Sequence, residues 1–354
     1  MKKHNFSAGP SILPAPVMQK AALAIEELDG IGLSLIEISH RNKEFVAIMD
    51  KAQDLALELT GLKGIGFQAL FLQGGASTQF LMAAINLMKN KAGYINTGAW
   101  SDKAIKEAKR YGEVVEIASS KDQNFNYIPK GYKIPSDLDY LHITTNNTIF
   151  GTQFHTLPDT NAPLIADMSS DIFSRELDYS AFDLFYAGAQ KNMGPAGTTL
   201  VIVKDSLLEQ MNKDVPAMLS YSTHTDKGSM FNTPPVFAIY TSMLTLEWLK
   251  EQGGIDAIEK HNRAKAELIY NEIDRNSAFE GFAAKEDRSF MNATFNLATG
   301  VDGTSFDSLW NEANISGIKG HRSVGGYRAS IYNALSMESA HALVEVMQKF
   351  EKTL

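Results

Sequence analysis

Apolar residues recur along this chain with the spacing of amphipathic helices in several long segments. Over residues 45–59 they fall three or four positions apart, charged residues take the opposite face, and Gly61 follows soon after. This pattern predicts a helix that stops near the glycine, which readily adopts the left-handed conformation of a helix terminus. Residues 340–350 repeat the spacing after Ser336, whose side chain is suited to cap a helix N-terminus. The charged stretch 255–275 predicts another long helix.

Short apolar runs between these segments predict buried strands. Several of them are separated by helical patterns, which is typical of βαβ units and of a mostly parallel sheet. The runs that predict strands are 67–72, 94–96, 114–117, 141–144, 164–166, 184–186, 200–203, 293–297 and 326–332.

Two adjacent glycines, Gly253 and Gly254, follow a long apolar stretch and mark a boundary in the chain. The residues before them predict an α/β domain with a mostly parallel sheet between helices. The residues after them predict a smaller α+β domain, which the N-terminal segment can join. We therefore expect a large domain over residues 15–255 and a small domain formed by residues 1–14 and 256–354.

The composition narrows the classes of function that the chain can serve. With 354 residues, 44% of them hydrophobic and 21% charged, it has ordinary globular composition and can bury a large core. Its 33 Lys and Arg against 41 Asp and Glu give a net charge of −8, which disfavours a nucleic-acid partner. The absence of cysteine excludes disulfides, thiolate catalysis and cysteine metal sites. No histidine–carboxylate group has the spacing of a zinc site, so we expect no metal.

The sequence predicts neither a membrane segment nor a secretory signal. The longest uncharged stretch, residues 64–88, has the 25 residues that a membrane-spanning helix needs, but polar residues and glycines at 73–79 interrupt it. No apolar run follows Met1, Lys2 and Lys3, and prolines interrupt the next segment. We expect a soluble, cytoplasmic protein that contacts no membrane.

Two glycine-rich segments are candidates for a phosphate-binding loop. Residues 64–69 fit the G-x-G-x-x-A pattern of dinucleotide-binding proteins, but they precede a predicted strand instead of following it. Residues 74–80 follow that strand and open a helical pattern, where small residues let backbone N–H groups approach an anion. The hydroxyls of Ser77 and Thr78 add donors. On this segment alone, an ordinary turn between strand and helix explains the pattern equally well.

A carboxylate and an amine follow two predicted strands, at the edge where α/β sheets bind ligands. Asp167 ends the run 164–166, and Lys191 stands 24 residues later among small residues, just past the run 184–186. This pair suits pyridoxal 5′-phosphate (PLP), because a lysine amine forms its Schiff base and a carboxylate keeps the pyridine nitrogen protonated. Trp100 can stack on such a ring, although a tryptophan is more often part of a core.

A set of short motifs extends in order over essentially the whole chain. At these motifs the sequence resembles the phosphoserine aminotransferases, a family of fold-type-I PLP enzymes. Each motif alone is a weak signal, whereas all of them in this order are highly specific. The motifs lie at residues 6–10, 39–41, 74–80, 96–100, 146–149, 166–170, 188–192, 232–235, 320–322 and 326–333.

The resemblance implies a role for each residue that matches a family motif. Lys191 would carry PLP as the Schiff-base lysine, and Asp167 would be the partner of the ring nitrogen. Trp100 would stack on the ring, and Thr148 would make a polar contact at the ring edge.

By the same resemblance, the cofactor phosphate would lie between two subunits. Ala76, Ser77 and Gln190 would hold it from one subunit, while Asn232 and Thr233 would reach it from the other, so that a homodimer is expected. Some family members have an arginine at the position of Ser77 or the next one. Its absence here leaves more of the anion binding to other residues.

Two His-Arg pairs stand out on this acidic chain, His40-Arg41 and His321-Arg322. A single such pair is more often a solvated surface feature. Two pairs favour a doubly anionic substrate, because arginine binds carboxylates and phosphates through paired hydrogen bonds. By resemblance, Arg328 would hold the α-carboxylate of the substrate. The two pairs would hold its side-chain phosphate or the γ-carboxylate of glutamate.

The resemblance implies amino transfer between L-glutamate and 3-phosphohydroxypyruvate, giving O-phospho-L-serine and 2-oxoglutarate in serine biosynthesis. It also implies action on 3-hydroxy-2-oxo-4-phosphooxybutanoate in pyridoxine biosynthesis. The alternative of the same fold is an alanine- or serine-glyoxylate aminotransferase, which needs no pocket for a distal anion. A non-catalytic phosphate-binding module is a third reading, and it would leave the amine of Lys191 without a use.

Overall fold

The computed structural model of this chain describes residues 3–322 and 324–354. Residues 1 and 2, which open the predicted small domain, and residue 323 lie outside the described residues. Across these ranges the strands are β1 (His4–Asn5), β2 (Phe67–Leu72), β3 (Lys91–Asn96), β4 (Glu113–Ser119), β5 (Tyr140–Thr144), β6 (Asn146–Asn147), β7 (Thr152–Gln153), β8 (Leu164–Asp167), β9 (Leu184–Gly188), β10 (Thr199–Lys204), β11 (Phe279–Gly281), β12 (Asn292–Leu297), β13 (Ile315–Ser316) and β14 (Tyr327–Ser330).

The α-helices occupy the segments between these strands and both ends of the chain. In the same described ranges they are α1 (Ala15–Glu26), α2 (Lys43–Leu59), α3 (Gly75–Leu87), α4 (Ala99–Ala108), α5 (Asp205–Leu208), α6 (Tyr221–Asp226), α7 (Val236–Glu251), α8 (Gly254–Arg275), α9 (Thr304–Glu312) and α10 (Met337–Glu351).

A seven-stranded sheet forms the centre of the molecule, in the order β2-β10-β9-β8-β5-β3-β4. β10 runs antiparallel to β2 and β9, and all other neighbours in this sheet are parallel. The predicted α/β fold with a mostly parallel sheet is therefore confirmed. β8 and β9 pair in parallel up to Asp167 and Tyr186, so their carboxyl ends lie side by side.

Helices bury both faces of the central sheet. In β2, Ala69 and Phe71 pack in the hydrophobic cluster that contains α1, α2 and α7, whereas Leu70 and Leu72 pack in the cluster that contains α3 and α4. Successive residues of a strand point to opposite faces, so a strand covered on both sides needs apolar residues throughout. This explains why the central strands appear in the sequence as continuous apolar runs.

The predicted helix ends agree with the structure where a specific residue defines them. Gly61 follows α2 with a φ of 71°, and the Ser336 side chain accepts a hydrogen bond from the Ser339 amide at the start of α10. The sequence pattern does not single out α1, because this helix buries one face while Leu23 on the other side is 63% exposed. Apolar residues on an exposed face blur the helical period.

The remaining strands form smaller sheets. β11, β12 and β14 make an antiparallel sheet, and β1 pairs in parallel with β13. Phe6, just after β1, is fully buried in a cluster with residues of α8, α9 and α10. The division into residues 15–255 and residues 1–14 with 256–354 stays a prediction. This packing supports it, although Ile258 packs with the cluster of the central sheet. Among the described residues, no helix is long and apolar enough to cross a membrane.

The N-terminal segment is held against the small sheets by backbone contacts. The Phe6 amide donates to the Ser316 carbonyl at 2.8 Å, and the Phe6 carbonyl accepts from the Ser330 amide at 3.2 Å. Gly317 has a φ of 76°, and a Cβ placed there would lie 2.6 Å from the backbone nitrogen of Ser7. The close approach of the two backbones therefore depends on a glycine at this position.

We predict that Gly317→Ala lowers the free energy of unfolding by about 2 kcal/mol or more, because overlap with Ser7 adds to the strain of a positive φ. Gly300→Ala is the matched control, since Gly300 has a φ of 87° with no atom within 4 Å of an added Cβ. It should cost only the backbone strain, about 1 kcal/mol. Urea unfolding of both variants measures the difference, and equal losses would contradict the close approach.

Candidate active site

Asp167 and Lys191 lie together at the carboxyl end of the central sheet. Asp167 is the last residue of β8, and Lys191 comes three residues after the end of β9. The Asp167 side chain is buried, and its Oδ1 accepts a hydrogen bond from the Ser169 amide at 2.9 Å. Each of the two groups lies within the electrostatic influence of the other. The parallel pairing of β8 and β9 thus brings together two residues that are 24 positions apart.

The surroundings shift the pKa of both groups. Burial lowers the pKa of the Lys191 amine from 10.5 to about 8, Asp167 opposes this effect, and Arg328 adds to it. Burial raises the pKa of the Asp167 carboxyl, while Lys191 and Ser169 oppose the rise. An amine with a pKa near 8 is partly neutral at neutral pH, which makes it a better nucleophile and base than an exposed lysine.

Thr148 connects the amine to the other groups of the site. The Lys191 Nζ donates to the Thr148 Oγ1 at 2.7 Å, and the Arg328 Nη1 donates to the Thr148 carbonyl oxygen at 3.4 Å. The Lys191 Nζ also lies 5.8 Å from the centroid of a Trp100 ring. The structure therefore brings Asp167, Thr148, Trp100, Lys191 and Arg328 into one site.

The N-terminus of α3 is open to an anion. Gly74 precedes the helix with a φ of 97°, and no side chain caps it. The backbone N–H groups of the first turn, which includes Ala76 and Ser77, have no partner within the helix. The expectation that Thr78 adds a hydroxyl donor is wrong in this geometry, because that hydroxyl donates to the Gly74 carbonyl at 3.0 Å.

Ser11 holds the segment that carries Gln190 and Lys191. Its amide donates to the Gln190 carbonyl at 2.9 Å, and its hydroxyl donates to the Lys191 carbonyl. Gly188 leaves room for the side chain of Gln190, whose Oε1 would lie 2.6 Å from an added Cβ. Sequence reasoning did not identify Ser11, because the contact spans 180 residues and only its neighbour Pro10 belongs to a motif.

A cationic group lies beside Thr148 and Trp100. Arg328, in β14, is buried, and burial lowers its pKa. Burial also lowers the pKa of His321, and the charges of Arg328, Arg322 and Lys103 lower it further. The Lys103 Nζ lies 4.3 Å from the centroid of the Trp100 ring. Lys103 was not predicted, although its position one helical turn after Trp100 in α4 is a signal that the sequence contains.

The other His-Arg pair lies at a surface cavity. His40 is buried and lines a surface cavity together with Gly197, Thr233 and Pro235, while Arg41 is exposed. Within residues 3–322 and 324–354, no hydrogen bond or ion pair joins His40 or Arg41 to the site around Lys191. The pair at 321 and 322 is the one that lies within the electrostatic influence of Arg328 in these described residues.

Asn232 and Thr233 lie in the segment before α7, and Thr233 is exposed. The Thr233 carbonyl accepts a hydrogen bond at 2.8 Å from the side chain of Gln73, the residue just before Gly74. This contact places the segment beside the strand that leads into α3. It does not test the predicted contact of Asn232 and Thr233 with a second subunit.

The residues present fit PLP. Two buried donors, the Trp100 Nε1 and the Arg328 Nε, have no hydrogen-bond partner in the described part of the chain. They lie at the same site as the Lys191 amine, whose pKa is lowered, and the buried Asp167 carboxylate. The uncapped N-terminus of α3 belongs to this site as well. These are the groups that a ligand with an aldehyde, a ring nitrogen and a phosphate requires. The described residues contain no group of metal-binding side chains.

Comparison with known proteins gives a consistent result. The sequence pattern of the family described as aminotransferase class-V matches residues 3–343. The phosphoserine aminotransferase of Flavobacterium johnsoniae is 62% identical over 353 residues, which cover 99% of each chain. Solved structures agree: the phosphoserine aminotransferase from Bacillus circulans subsp. alkalophilus is 44% identical, with a TM-score of 0.96 and 99% of each chain covered. A PLP-bound phosphoserine aminotransferase from Trichomonas vaginalis is 34% identical, with a TM-score of 0.92, covering 98% of this chain and 100% of that one.

We predict that the amine of Lys191 titrates near pH 8 in the folded, cofactor-free protein. Competitive acetylation over a pH series, followed by mass spectrometry of the Lys191 peptide, measures its pKa. The same peptide in the denatured protein is the control, and its lysine should titrate at about pH 10.4. Asp167→Asn should lower the folded value, because the carboxylate favours the charged amine. A folded value that matches the denatured one would contradict the described environment.

Proposed function

The chain belongs to the phosphoserine aminotransferases within aminotransferase class V, and from this premise we propose how its own residues perform the reaction. It is a PLP-dependent enzyme that transfers the amino group of L-glutamate to 3-phosphohydroxypyruvate, giving O-phospho-L-serine and 2-oxoglutarate. One observation supports this assignment of roles. Burial lowers the pKa of the Lys191 amine, and a hydrogen bond to Thr148 holds that amine near Asp167.

The cationic group separates this function from that of a glyoxylate aminotransferase of the same fold. Arg322 and Lys103 add positive charge beyond Arg328, which alone would suffice for an α-carboxylate. A substrate with a small neutral side chain gives such charges no partner. A phosphate or a γ-carboxylate offers them one, since both are acceptors for charge-assisted hydrogen bonds.

Lys191 performs the proton transfers of the proposed mechanism. PLP, when bound, supplies an aldehyde carbon that condenses with amines and a protonated ring that accepts the electron pair released at Cα. Lys191 carries the cofactor at rest. With PLP and substrate bound, its amine would act as the base that removes the Cα proton and as the acid that returns a proton. Thr148 keeps the Nζ in place during these steps through the contact at 2.7 Å.

Asp167 stabilises positive charge at the ring nitrogen. Its carboxylate is buried, where an unscreened charge acts strongly on a neighbouring group. The nearby Lys191 amine and the hydrogen bonds from Ser169 favour the ionised carboxylate against the effect of burial. We assign to Trp100 the contact with the ring face.

The cofactor phosphate is assigned to the N-terminus of α3. Ala76 and Ser77 offer backbone N–H groups without partners, and Gln190 folds over Gly188 on the same side as Lys191. Asn232 and Thr233 are assigned to reach this phosphate from a second subunit, which requires a homodimer.

Exposed apolar residues support the proposed dimer. Leu23 and Ile36 are more than 60% exposed, and Met18 and Ile65 are about half exposed. Burying such side chains between two subunits is favourable. His40 shares a cavity wall with Thr233, so a dimer that sends Thr233 to the neighbouring site also brings the His40-Arg41 pair close to it. We assign this pair to the distal anion of the substrate bound at the second subunit.

Two further assignments follow from the chemistry of the substrates. We propose that 3-hydroxy-2-oxo-4-phosphooxybutanoate is also accepted, because it presents the same α-keto acid and distal phosphate. We assign the protein to the cytoplasm, because a phosphorylated keto acid is strongly charged and does not cross membranes unaided.

We predict that Lys191→Ala abolishes turnover while the protein still folds, because the variant lacks both the amine that carries PLP and the base. Borohydride reduction of the wild-type holoenzyme should attach the cofactor to the peptide that contains Lys191. The buried Lys265 of α8 is an internal reference, since its Nζ donates to the Ile331 and Tyr332 carbonyls. Cofactor attached at Lys265, or at any lysine other than Lys191, would refute the assignment.

We predict that Arg322→Ala lowers kcat/KM for 3-phosphohydroxypyruvate by about 10- to 150-fold, the effect of losing one charge-assisted hydrogen bond. Hydroxypyruvate, which lacks the phosphate, should be nearly unaffected, and Arg41→Ala should behave alike. Arg328→Gln should weaken all substrates, because each has an α-carboxylate. Lys319→Ala is a charge-matched control, since its ammonium pairs with Asp307. Equal losses for both keto acids would contradict the assignment of the distal anion.

A further inference from the structure

The turn after β8 contains a serine that joins the ends of two strands. Beyond the last ladder pair, Asp167 with Tyr186, the amide of Gly188 donates to the Ser169 Oγ at 3.2 Å. The Ser169 amide donates to the Asp167 Oδ1 at 2.9 Å. Ser169 is only 6% exposed. One residue thus touches both the carboxylate of the site and the end of β9, the strand that leads to Lys191.

The direction of these hydrogen bonds shows that the Ser169 hydroxyl can still donate its proton. A serine hydroxyl has one proton to donate and lone pairs with which to accept. The N–H of Gly188 can only donate, so it occupies a lone pair of Oγ and leaves the proton of the hydroxyl free. A buried hydroxyl proton needs an acceptor, and the nearby Asp167 carboxylate is the strongest one available.

We propose that Ser169 is a positioning residue that keeps Asp167 ionised and correctly oriented to pair with the ring nitrogen of PLP. This inference rests on the proposed role of Asp167 and assigns it a partner. A carboxylate that accepts from both the amide and the hydroxyl of Ser169 is held at two points and is less basic. It is therefore less able to take the proton away from the ring nitrogen.

Other charged and titratable groups also act on this carboxylate. The Lys191 amine favours its ionised form, and Asp171, in the turn after β8, disfavours it. The Ser169 contacts act in the same direction as Lys191 and lower the carboxyl pKa against the effect of burial. Tyr186, paired with Asp167 in the sheet, is a buried phenol whose ionisation Asp167 disfavours, so it stays neutral. Ser169 differs from these groups because it also fixes the orientation of the carboxylate.

The experiment follows the protonation of the ring nitrogen directly. Holoenzyme is reconstituted with PLP labelled with ¹⁵N in the ring, and the ¹⁵N chemical shift is measured between pH 6 and 9. The wild type should show a protonated ring nitrogen. Ser169→Ala should move the signal toward that of a neutral pyridine. The expected shift corresponds to a change of about one to two units in the difference between the pKa of the ring nitrogen and the pKa of the Asp167 carboxyl. The kcat for glutamate should fall about 10-fold or more with little change in KM.

Ser170 provides a matched control in the adjacent position. It is also buried, and its hydroxyl donates to the Asn146 carbonyl and accepts from the Asn146 Nδ2, both at 2.8 Å. Ser170→Ala removes the same atom from the same turn without touching Asp167, so the ¹⁵N signal should stay in its wild-type position. Ser169→Thr keeps the hydroxyl and should restore most of the protonated signal. Should Ser169→Ala fail to fold, Ser169→Cys, with a weaker donor, should give an intermediate shift.

The outcomes separate this inference from the assignment of Asp167. A signal unchanged in both Ser169→Ala and Ser169→Cys, or moved equally in Ser170→Ala, would overturn the role of Ser169. Asp167→Asn is measured in parallel. If it deprotonates the ring nitrogen while the Ser169 variants do not, only the inference fails. If Asp167→Asn also leaves the signal unchanged, the assigned role of Asp167 itself is wrong.

Discussion

The rest of this structure satisfies one constraint, which is to hold a partly buried amine close to a buried carboxylate. Burial penalises the charged form of each, and the nearby opposite charge offsets part of that penalty. Neither Asp167 nor Lys191 would be well placed without the other. The parallel pairing of β8 with β9 meets this requirement, because the carboxyl ends of parallel neighbours meet at the same edge of a sheet. The lysine that results has a pKa suited to both covalent attachment and proton transfer.

The N-terminal segment and the residues after β14 form hydrogen bonds with the segment that carries Lys191 and with each other. Ser11 binds the backbone of Lys191, and the Tyr332 hydroxyl, just past β14, donates to the Ala8 carbonyl at 2.9 Å. The Asn333 amide donates at 3.1 Å to the side chain of Asn192, the residue after Lys191. Residues near 8, 191 and 332 therefore form one connected unit. These hydrogen bonds join the segment after β14, the strand that carries Arg328, to the residues around the lysine.

The sequence predicts those features of this arrangement that depend on neighbouring residues in the chain. The apolar runs predicted the central strands, and the positions of Asp167 and Lys191 just past two runs pointed to the edge of the sheet. The position of His40 beside Thr233 was not predictable, because it depends on packing between distant segments. Ser11 was missed for the same reason. Ser169 belongs to a motif, but its role depends on a hydrogen bond from β9 that no spacing reveals.

The proposed enzyme must accept a γ-carboxylate and a phosphate in turn while holding the same α-carboxylate. The structure separates these tasks by burial. Arg328 is 9% exposed and bonded to the Thr148 carbonyl, so its guanidinium is fixed and suits the group that all substrates share. Arg322 is exposed, and exposed long side chains change rotamer at little cost. An adjustable arginine can contact anions of different shape and size. A rigid arginine at the α-carboxylate and a mobile arginine at the distal anion allow one site to bind both glutamate and the phosphorylated keto acid.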